Sequence, residues 1–538
     1  MVQRSLALVV LAAAVLAGPA AGTSVCTGTC FAAPAGSGAL FLFSGHGWGH
    51  GVGMSQYGAY GYAQHGYTFQ QILAHYYPGT KLAPAPVSTI RVLLADRKKT
   101  LTISSTVPFT IRDGAGTTLR VDAGSVKLTP ELTVDGQTLA PPLRVLPGKD
   151  APLTLTRPYR GRLDVDVVDG KLRAVNVLGL EPYLYGVVPS EMPSTWSTEA
   201  LEAQAVAARS YALATRQVGA PFDVFSDTRS QVYLGLSHES AVTSAAVDAT
   251  KRQVLFYGGK VATTYFSSTS GGRTESSQNW NGKALPYLVS VPDPYDDISP
   301  YHSWGPVPVT AQTIVKALKL GQPVTDATTT PDGNGRVAQL SFQTTFSPVT
   351  VQGAKLRAAI GLRSTWFTVS VMSLAPPASS PPVVYGSQVT LDGTVRGVSD
   401  VTLEERPAGA QWQAVTTVPS GAVHVTRKPA STTDYRLATP TAAAGSVRIR
   451  VAPAVALTSF TSSQVTGRVA PLLPGTPVQV QQQASDLTTW TTVATDAVDA
   501  DGTFAIPVQL ASGGTYRVTV LPATGYAPGT TTPEVVVR

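Results

Sequence analysis

The segment 383–538 most constrains the fold, because it carries no helical periodicity. Short runs of alternating Val, Thr and Gln are separated by turn residues, a pattern typical of the strands of β-sandwiches. The pattern also repeats. A Gln-Val-Thr triplet that begins at Gln388 recurs at Gln464, and Trp412 recurs at nearly the same spacing as Trp490. These repeats predict two tandem immunoglobulin-like modules, whose role would be spacing or adhesion.

A cluster of Pro and Ser at residues 375–382 interrupts the chain just before these modules and is typical of a linker. We therefore expect a first domain over 23–374, then modules over 383–452 and 453–538. The sequence holds 49 Gly and 41 Pro, which favours β-structure with many turns. Hydrophobic residues make up 43% of it and charged residues 14%, so a globular fold is expected rather than disorder.

The first 22 residues have the pattern of a cleaved signal peptide. Arg4 is followed by an apolar run at 6–17 and then by small residues. The run is shorter than the roughly 20 residues that a membrane-spanning helix needs. We therefore expect a secreted protein that acts in the cell wall or outside the cell, with no transmembrane segment after cleavage. There, Cys26 and Cys30 could close a small disulfide loop.

The chain is moderately basic, with 40 Lys and Arg against 33 Asp and Glu. The basic residues are scattered, and no nucleic-acid-binding motif occurs, so a nucleic-acid partner is not expected. Weak attraction to an anionic wall polymer and simple solubility explain the charge equally well.

The first domain mixes two patterns. Residues 88–168 alternate in polarity like strands, whereas 198–216 contain Ala at seven positions after a candidate N-cap, Ser197. A second helical stretch covers 309–320. We predict an α+β fold in which a β-rich domain with one prominent central helix precedes two all-β immunoglobulin-like sandwiches.

A glycine-rich segment is the first candidate site. Glycines alternate along 45–53, which makes a helix costly and a loop close to a ligand feasible. As a metal site, His46 and His50 have helical spacing but no helix to present them. As a sugar site, Trp48 could stack on a pyranose ring, and Gln56 and the histidines could bond hydroxyls. Residue types alone favour a third interpretation, a tight turn packed by its own aromatic rings.

Glu191 is the second candidate. Pro193 directs Met192 towards an extended conformation, so we expect Glu191 on a loop just before the central helix. Its apolar neighbours Val187 and Val188 would raise the pKa of the carboxyl, whereas the positive end of the helix would lower it. That setting suits a catalytic acid, although a loop carboxylate more commonly caps nearby amides.

Together these segments resemble the stage II sporulation protein D (SpoIID/LytB) family over most of residues 39–371. Motifs of this length rarely arise by chance. The matching segments are the Gly-His loop with 75–80, Val-Val-Pro-Ser-Glu-Met-Pro at 187–193, Ala-Gln-Ala-Val-Ala-Ala-Arg at 203–209, 231–233, 265–274, 286–288 and Gly-Leu-Arg-Ser at 361–364.

The resemblance implies peptidoglycan glycan strands as partner and lytic transglycosylase activity on strands without stem peptides. Glu191 alone is carried over as catalytic, first as acid and then as base, giving a 1,6-anhydro end. A hydrolase would need a second carboxylate, for which Asp293, Asp296 and Asp297 are candidates. Candidate substrate-binding residues, each with packing or turn geometry as the competing explanation, are His46, Trp48, His50, Gln56, Arg209, Tyr211, Gln231, Gly271, Gly272 and Thr274.

Two features depart from the family pattern. The Gly-His loop opens the domain instead of closing it, which indicates circular permutation and predicts that the strand around 40–43 packs beside the one around 366–371. Serines stand at 225–231, where some relatives carry cysteines that can hold zinc, so we expect neither a metal nor another cofactor.

Two other functions remain open. The LytB branch suggests a wall-binding activator of a separate N-acetylmuramoyl-L-alanine amidase, without catalysis of its own. A structural wall or adhesion protein would explain only the C-terminal modules.

Overall fold

The computed structural model describes residues 31–32, 38–344, 346–375, 381–522 and 524–536. The predicted signal peptide, both cysteines and most of the predicted linker lie outside these ranges. The described residues are rich in strands and contain few helices, which is compatible with the predicted α+β class. No helix in the described ranges is both long and apolar enough to cross a membrane.

The first elements place the glycine-rich segment between a strand and a helix. The backbone N–H of Gly58 donates to the Ser55 hydroxyl at 3.1 Å, and this N-cap starts the first helix. Thr68 and Gln71 form a capping box on the second. The elements are β1 (Phe31–Ala32), β2 (Leu40–His46), β3 (Met54–Ser55), α1 (Gln56–Gln64), α2 (Phe69–Tyr76) and β4 (Lys81–Pro84).

Two antiparallel sheets follow, as the alternating pattern predicts. Alternate side chains such as Leu163 and Val165 are buried in the core that the two sheets share. The strands are β5 (Thr89–Lys98), β6 (Leu101–Ser105), β7 (Phe109–Arg112), β8 (Thr118–Val121), β9 (Gly124–Leu128), β10 (Thr133–Val134), β11 (Gln137–Thr138), β12 (Leu143–Leu146), β13 (Leu153–Thr154), β14 (Pro158–Tyr159), β15 (Arg162–Val168) and β16 (Lys171–Gly179). The main sheet runs β5-β16-β15-β12-β7-β8 and is extended beyond β5 by a parallel strand at Val224–Phe225. The second sheet runs β14-β13-β6-β9, and β10 and β11 form a separate two-stranded sheet.

A helical layer comes next and contains the predicted central helix. Ser197 precedes that helix as expected, although its side chain makes no capping bond. The elements are α3 (Leu180–Glu191), α4 (Thr198–Thr215), β17 (Val224–Phe225), α5 (Ala241–Ala249), β18 (Gln253–Tyr257), β19 (Lys260–Val261), β20 (Phe266–Ser267) and α6 (Ser277–Asn281), with 3-10 turns at Leu236–His238 and Asp296–Ile298.

The helix α4 is buried on two sides. Ala203 and Ala207 belong to a core shared with α1 and α2. Ala205 and Ala208 belong to a second core shared with α3 and α5. Alanine suits both positions, because a helix that is apolar all round packs inside the domain.

The predicted second helix is present, and a Thr310 side-chain cap starts it. The elements after residue 302 are β21 (Ser303–Thr310), α7 (Ala311–Leu318), β22 (Val324–Pro331), β23 (Val337–Thr344), β24 (Val349–Gln352), α8 (Gly353–Ile360) and β25 (Phe367–Leu374). Strand β2 pairs with β25 in antiparallel register, with Leu40 opposite Met372 and Phe43 opposite Val369. The predicted neighbourhood of these two strands is confirmed.

The segment after residue 381 is all strands. In the first module these are β26 (Val383–Val384), β27 (Val389–Arg396), β28 (Val401–Pro407), β29 (Gln413–Val418), β30 (Gly421–Arg427), β31 (Thr433–Ala438), β32 (Ala442–Ala443), β33 (Val447–Ile449) and β34 (Val451–Ala452). In the second they are β35 (Ala454–Phe460), β36 (Gln464–Ala470), β37 (Pro477–Gln483), β38 (Trp490–Ala497), β39 (Thr503–Pro507), β40 (Thr515–Val520), β41 (Gly529–Thr530) and β42 (Glu534–Val535).

One sheet runs across the predicted linker. Its order is β21-β2-β25-β27-β30, so two strands of the first module extend a sheet that begins in the first domain. Leu40, Leu42, Met372 and Leu374 point into the core of the first module, and the opposite face of the same strands packs on the first domain. The first module therefore shares its core with the domain before it.

Contacts between the two modules are fewer. The backbone N–H of Ala527 donates to the Val451 carbonyl at 2.7 Å, and that of Thr432 donates to the Gly525 carbonyl at 2.8 Å. A polar cavity of about 470 Å³ lies at this junction, and its lining includes Arg406, Asp434, Arg448 and Tyr526.

Candidate active site

Glu191 is the last residue of helix α3, where the sequence predicts a loop. The prediction is wrong because Pro193 makes only Met192 extended, so Glu191 remains in the helix, which also tolerates Pro182 and Pro189. Pro182 lies in the first turn, where a backbone N–H has no partner within the helix. Pro189 lies in the last turn, and the chain leaves the helix soon after it. Met192 is extended, with φ −128° and ψ 141°, as expected for a residue before proline.

The Glu191 carboxyl is half-buried and has a neutral hydrogen-bond partner. The Gln56 side-chain amide donates to its Oε2 over 3.4 Å. Burial raises the pKa of Glu191 to about 7, and the Gln56 hydrogen bond opposes this only in part. At neutral pH the carboxyl can carry a proton and can also release it.

Gln56 is held in place by a buried network behind it. The preceding residue, Ser55, donates from its hydroxyl to Asp296 Oδ1 at 2.5 Å. The same carboxylate accepts the backbone N–H groups of Ser270 and Gly271, both at 2.9 Å. Asp296 therefore ties the start of α1 to the 270–271 turn.

The three aspartates considered as a second acid differ in burial and in hydrogen bonding. Asp296 is fully buried and already bonded, as described above. Asp293 is also fully buried, and its Oδ1 accepts the Tyr76 hydroxyl at 2.7 Å. Burial, together with the charge of Asp296, raises the pKa of Asp293 to about 7. Asp297 is exposed on a 3-10 turn.

The Gly-His loop lies against the segment 265–270. Trp48 exchanges backbone hydrogen bonds with Thr269, at 2.9 and 3.1 Å. Gly47 adopts φ +75°, and a Cβ there would lie 2.7 Å from the Ser270 carbonyl oxygen. Gly271 faces it with φ +84°, and a Cβ there would lie 2.7 Å from the Cβ of His46. Only glycine suits these two positions, so the role of Gly271 is close approach of two turns.

The side chains of the loop differ in exposure. Trp48 is 39% exposed, and its ring meets the edge of Tyr301 at 4.3 Å. His46 is exposed, with its ring 5.2 Å from that of Trp366. His50 packs against Trp280 at 4.8 Å. The loop therefore presents aromatic surface to solvent, as the sugar-site interpretation requires.

His50 is a neutral imidazole. Its Nδ1 accepts the backbone N–H of Val52 at 3.0 Å. Burial lowers the pKa of His50 to about 3, and the charges of Arg357 and Arg336 act in the same direction. Within the described ranges, no group of three or more His, Cys, Asp or Glu residues is arranged to hold a metal ion.

Tyr211 and Gln231 differ in their relation to Glu191. Burial raises the pKa of Tyr211 to about 12, with further contributions from Tyr265 and Glu191. Gln231 is almost fully buried, and its Oε1 accepts the Tyr183 hydroxyl at 3.2 Å. Burial raises the pKa of Tyr183 far above its ordinary value, with the charges of Tyr233 and Glu191 adding to the effect. Tyr211 is half-buried near the acid, whereas Gln231 is bonded to Tyr183 in the interior.

Arg209 and Thr274 point away from the surface. Arg209 is fully buried and donates to Glu181 at 2.6 and 3.1 Å, and to the Gln253 carbonyl at 3.0 Å. Thr274 is buried, and its hydroxyl oxygen accepts the Val291 N–H at 2.8 Å. For both residues the structure shows the packing role that was the competing explanation. Gly272 lies beside the exposed surface of the loop. A Cβ added at this position would lie 3.4 Å from the His302 ring.

Several aromatic and basic residues near the site have no local sequence signal. The ring of Trp196, five positions after Glu191, lies 4.8 Å from that of Tyr57. Tyr301 and Arg363 lie beside Trp48, although both are more than 250 positions away in the chain. Only the fold brings them together, so periodicity could not have found them.

Comparison with known proteins gives a family match over part of the chain. Residues 168–257 match the family described as SpoIID, stage II sporulation protein. This segment holds Glu191 and helix α4.

Three relatives share the match. The chain is 44% identical over 136 residues to an uncharacterized protein of Brachyspira hyodysenteriae, covering 25% of this chain and 37% of that protein. It is 40% identical over 140 residues to the amidase enhancer of Bacillus subtilis, covering 26% and 19%. It is 32% identical over 223 residues to stage II sporulation protein D of the same organism, covering 36% and 61%. The chain thus spans less than two thirds of each relative.

Solved structures give only a weak likeness. A two-domain fibronectin type III segment of chicken tenascin is 13% identical, with a TM-score of 0.20, covering 31% of this chain and 97% of that one. A structural similarity this low does not identify the fold. The immunoglobulin-like class of the two modules therefore stays a prediction.

Proposed function

We propose that this chain, which belongs to the SpoIID/LytB family, is a secreted lytic transglycosylase of peptidoglycan. Its substrate would be the bond from N-acetylmuramic acid to N-acetylglucosamine in glycan strands, chiefly strands without stem peptides. The observation that carries the proposal is Glu191, a half-buried carboxyl beside Gln56 whose pKa is raised to about 7.

The reaction needs one group that gives a proton and then takes one. Protonated Glu191 donates to the glycosidic oxygen as the bond to the anomeric carbon breaks through an oxocarbenium-like state. The resulting carboxylate then accepts the proton of the muramic C6 hydroxyl while that oxygen bonds to the anomeric carbon. The products are a 1,6-anhydro end and a free hydroxyl on the leaving sugar, and Glu191 ends protonated.

The arrangement of carboxylates favours this route over hydrolysis. An inverting or retaining hydrolase needs a second carboxylate at the reacting centre. Asp293 and Asp296 are fully buried and bonded within the protein, so neither is placed to activate a water. Of the three candidate aspartates only Asp297 is exposed. The intramolecular attack requires no second acid, no metal and no other cofactor.

The relatives support a function connected with the cell wall. Two of them are named stage II sporulation protein D and amidase enhancer. The second name motivates an alternative in which this chain binds the wall and activates an N-acetylmuramoyl-L-alanine amidase without cutting glycan itself. The aromatic surface of the Gly-His loop would serve glycan binding in both cases.

Two measurements separate these functions. Purified glycan strands, with and without stem peptides, are incubated with the protein alone, and soluble fragments are quantified. In parallel, stem-peptide release by a wall amidase is measured with and without the protein. We expect fragments from the protein alone and none from Glu191→Gln. No fragments, together with stimulated amidase activity that survives Glu191→Gln, would establish the alternative.

A further inference from the structure

Arg363 is fixed to the Gly-His loop by its backbone. Its carbonyl oxygen accepts the backbone N–H of Gly49 at 3.0 Å and the Arg357 Nε at 3.2 Å. The next residue, Ser364, donates from its hydroxyl to the His46 carbonyl at 2.5 Å. The turn after helix α8 is therefore hydrogen-bonded to the Gly-His loop. These bonds fix the position of Arg363 beside the loop.

The Arg363 side chain lies on an aromatic surface. Its guanidinium carbon is 5.0 Å from the centre of the Tyr301 ring. The edge of Tyr301 meets the Trp48 ring at 4.3 Å, and Trp48 is 39% exposed. We call these three residues the Trp-Arg patch. An exposed indole beside a cation offers one apolar face and one charged donor group.

The charge of Arg363 is not neutralised within the protein. It forms no ion pair with a carboxylate in the described ranges, whereas Arg336 nearby pairs with Glu275 at 3.4 Å. Arg357 donates to the carbonyls of Leu362 and Arg363 and also meets no carboxylate there. The surroundings are therefore positive, and Arg363 is half-buried with donors available to an external anion.

The Trp-Arg patch and Glu191 are connected through one short backbone segment. The Trp48 N–H donates to the Thr269 carbonyl, and the Tyr57 N–H donates to the adjacent Ser268 carbonyl. Consecutive residues lie about 3.8 Å apart, so these two anchors are neighbours. Gln56 immediately precedes Tyr57 and donates to Glu191. The patch and Glu191 are therefore connected through the adjacent residues 268 and 269.

We propose that Arg363 determines substrate specificity by binding the carboxylate of a sugar that stacks on Trp48. The sugar would be N-acetylmuramic acid, whose lactyl ether carries a carboxylate that N-acetylglucosamine lacks. Guanidinium and carboxylate match in geometry and charge, and the hydrogen bonds between them are stronger than neutral ones. The inference rests on the proposed function, because it takes a glycan strand as the ligand of the same site. It assigns to Arg363 a substrate-binding role, for which the sequence had suggested Arg209.

The test compares two ligands on the full chain with Glu191→Gln, which prevents turnover. One ligand is peptidoglycan glycan freed of stem peptides, and the other is the same glycan with its lactyl carboxylates reduced to alcohols. Calorimetric titration should give at least tenfold tighter binding of the unreduced glycan. Arg363→Gln should remove most of this preference while leaving binding of the reduced glycan within twofold. Arg120→Gln, the same change at an exposed strand position, should keep the preference.

Equal affinity for the two glycans, or a preference that survives Arg363→Gln, would overturn the inference. If Arg363→Gln weakens the binding of both glycans by the same factor, Arg363 has a packing role, and the inference also fails. The cutting assay with intact Glu191 is read separately. A protein that discriminates between the glycans but cuts neither would sink the proposed function and leave the Arg363 assignment standing. A protein that cuts both glycans equally would leave the proposed function standing and overturn the Arg363 assignment.

Discussion

The amide of Gln56 donates to the carboxyl of Glu191 across 135 positions of the chain. This contact joins the glycine-rich segment near the start of the domain to the end of helix α3. It gives the acid one partner that can bond its charged form, and no cation among the described residues forms an ion pair with it. Burial raises the pKa of Glu191 to about 7, and the Gln56 hydrogen bond lowers it only in part.

Replacing Gln56 by Ala should slow cleavage and shift its pH dependence. The bond stabilises the Glu191 carboxylate, so its loss should raise the pKa of Glu191 further. A hydrogen bond to a charged group is worth about 1.5 kcal/mol at the weak end, which corresponds to roughly tenfold in rate. The pH-rate profile of Gln56→Ala should therefore be lower, with its alkaline limb at higher pH. Gln64→Ala, an exposed change in the same helix, serves as control. An alkaline limb that moves to lower pH would contradict the assignment.

Cleavage by the native protein should fall as pH rises through about 7. Glu191 must carry its proton at the first step, so the rate should drop about tenfold for each pH unit above that value. Asp293 also has a pKa raised to about 7, so a second group titrates in the same range. Asp293→Asn imitates its neutral form and should leave the alkaline limb in place. If the limb disappears in that variant, Asp293 is the group that controls the rate.

Glu191→Gln should be more stable than the native protein at pH 8 and equally stable at pH 4. The pKa of Glu191 is about 7 when folded, against an ordinary value of 4.5. Between these values the unfolded chain loses its proton first, so native stability falls as pH rises. The full shift corresponds to about 3 kcal/mol, and solvent around a half-buried carboxyl reduces the gain to roughly 1 to 2 kcal/mol. Thermal unfolding at both pH values measures it. Equal stability at pH 8 would mean that the carboxyl is not desolvated.

A chain that ends after Leu374 should fold poorly, whereas one that ends after Pro453 should fold well. The shorter chain exposes Leu40, Leu42, Met372 and Leu374, which the first module covers. Exposing a buried side chain of this size costs about 1.5 to 3 kcal/mol. The longer chain loses only the second module and its few contacts. Soluble yield and thermal unfolding of the two truncations test this. A soluble, stable chain that ends at Leu374 would show that the shared core is dispensable.

Local sequence patterns predicted the helices and strands that depend on local interactions. The composition of 198–216 predicted α4 to within one residue of its end, and alternation predicted the strands of the main sheet. Helix α3 was missed because Pro193 was taken to place Glu191 on a loop, whereas only Met192 is extended and the helix runs to Glu191. The family resemblance predicted Gln56 near the site, where it does meet Glu191.

Long-range contacts could not be read from the sequence. An alternating strand shows which residues share a face but not what covers that face. Leu40 and Leu42 therefore gave no sign that they enter the core of the first module. Arg209 and Arg363 are equally basic in the sequence. Only the fold shows that Arg209 pairs with Glu181 inside the domain and that Arg363 lies at the surface beside Trp48.

The most direct test is mass spectrometry of the ends that the protein leaves on purified glycan strands. The native protein should produce 1,6-anhydromuramic ends, because the C6 hydroxyl attacks in place of water. The Glu191→Gln protein, checked for native folding, should produce none. Ordinary reducing ends from the native protein, or anhydro ends from Glu191→Gln at the native rate, would contradict the account.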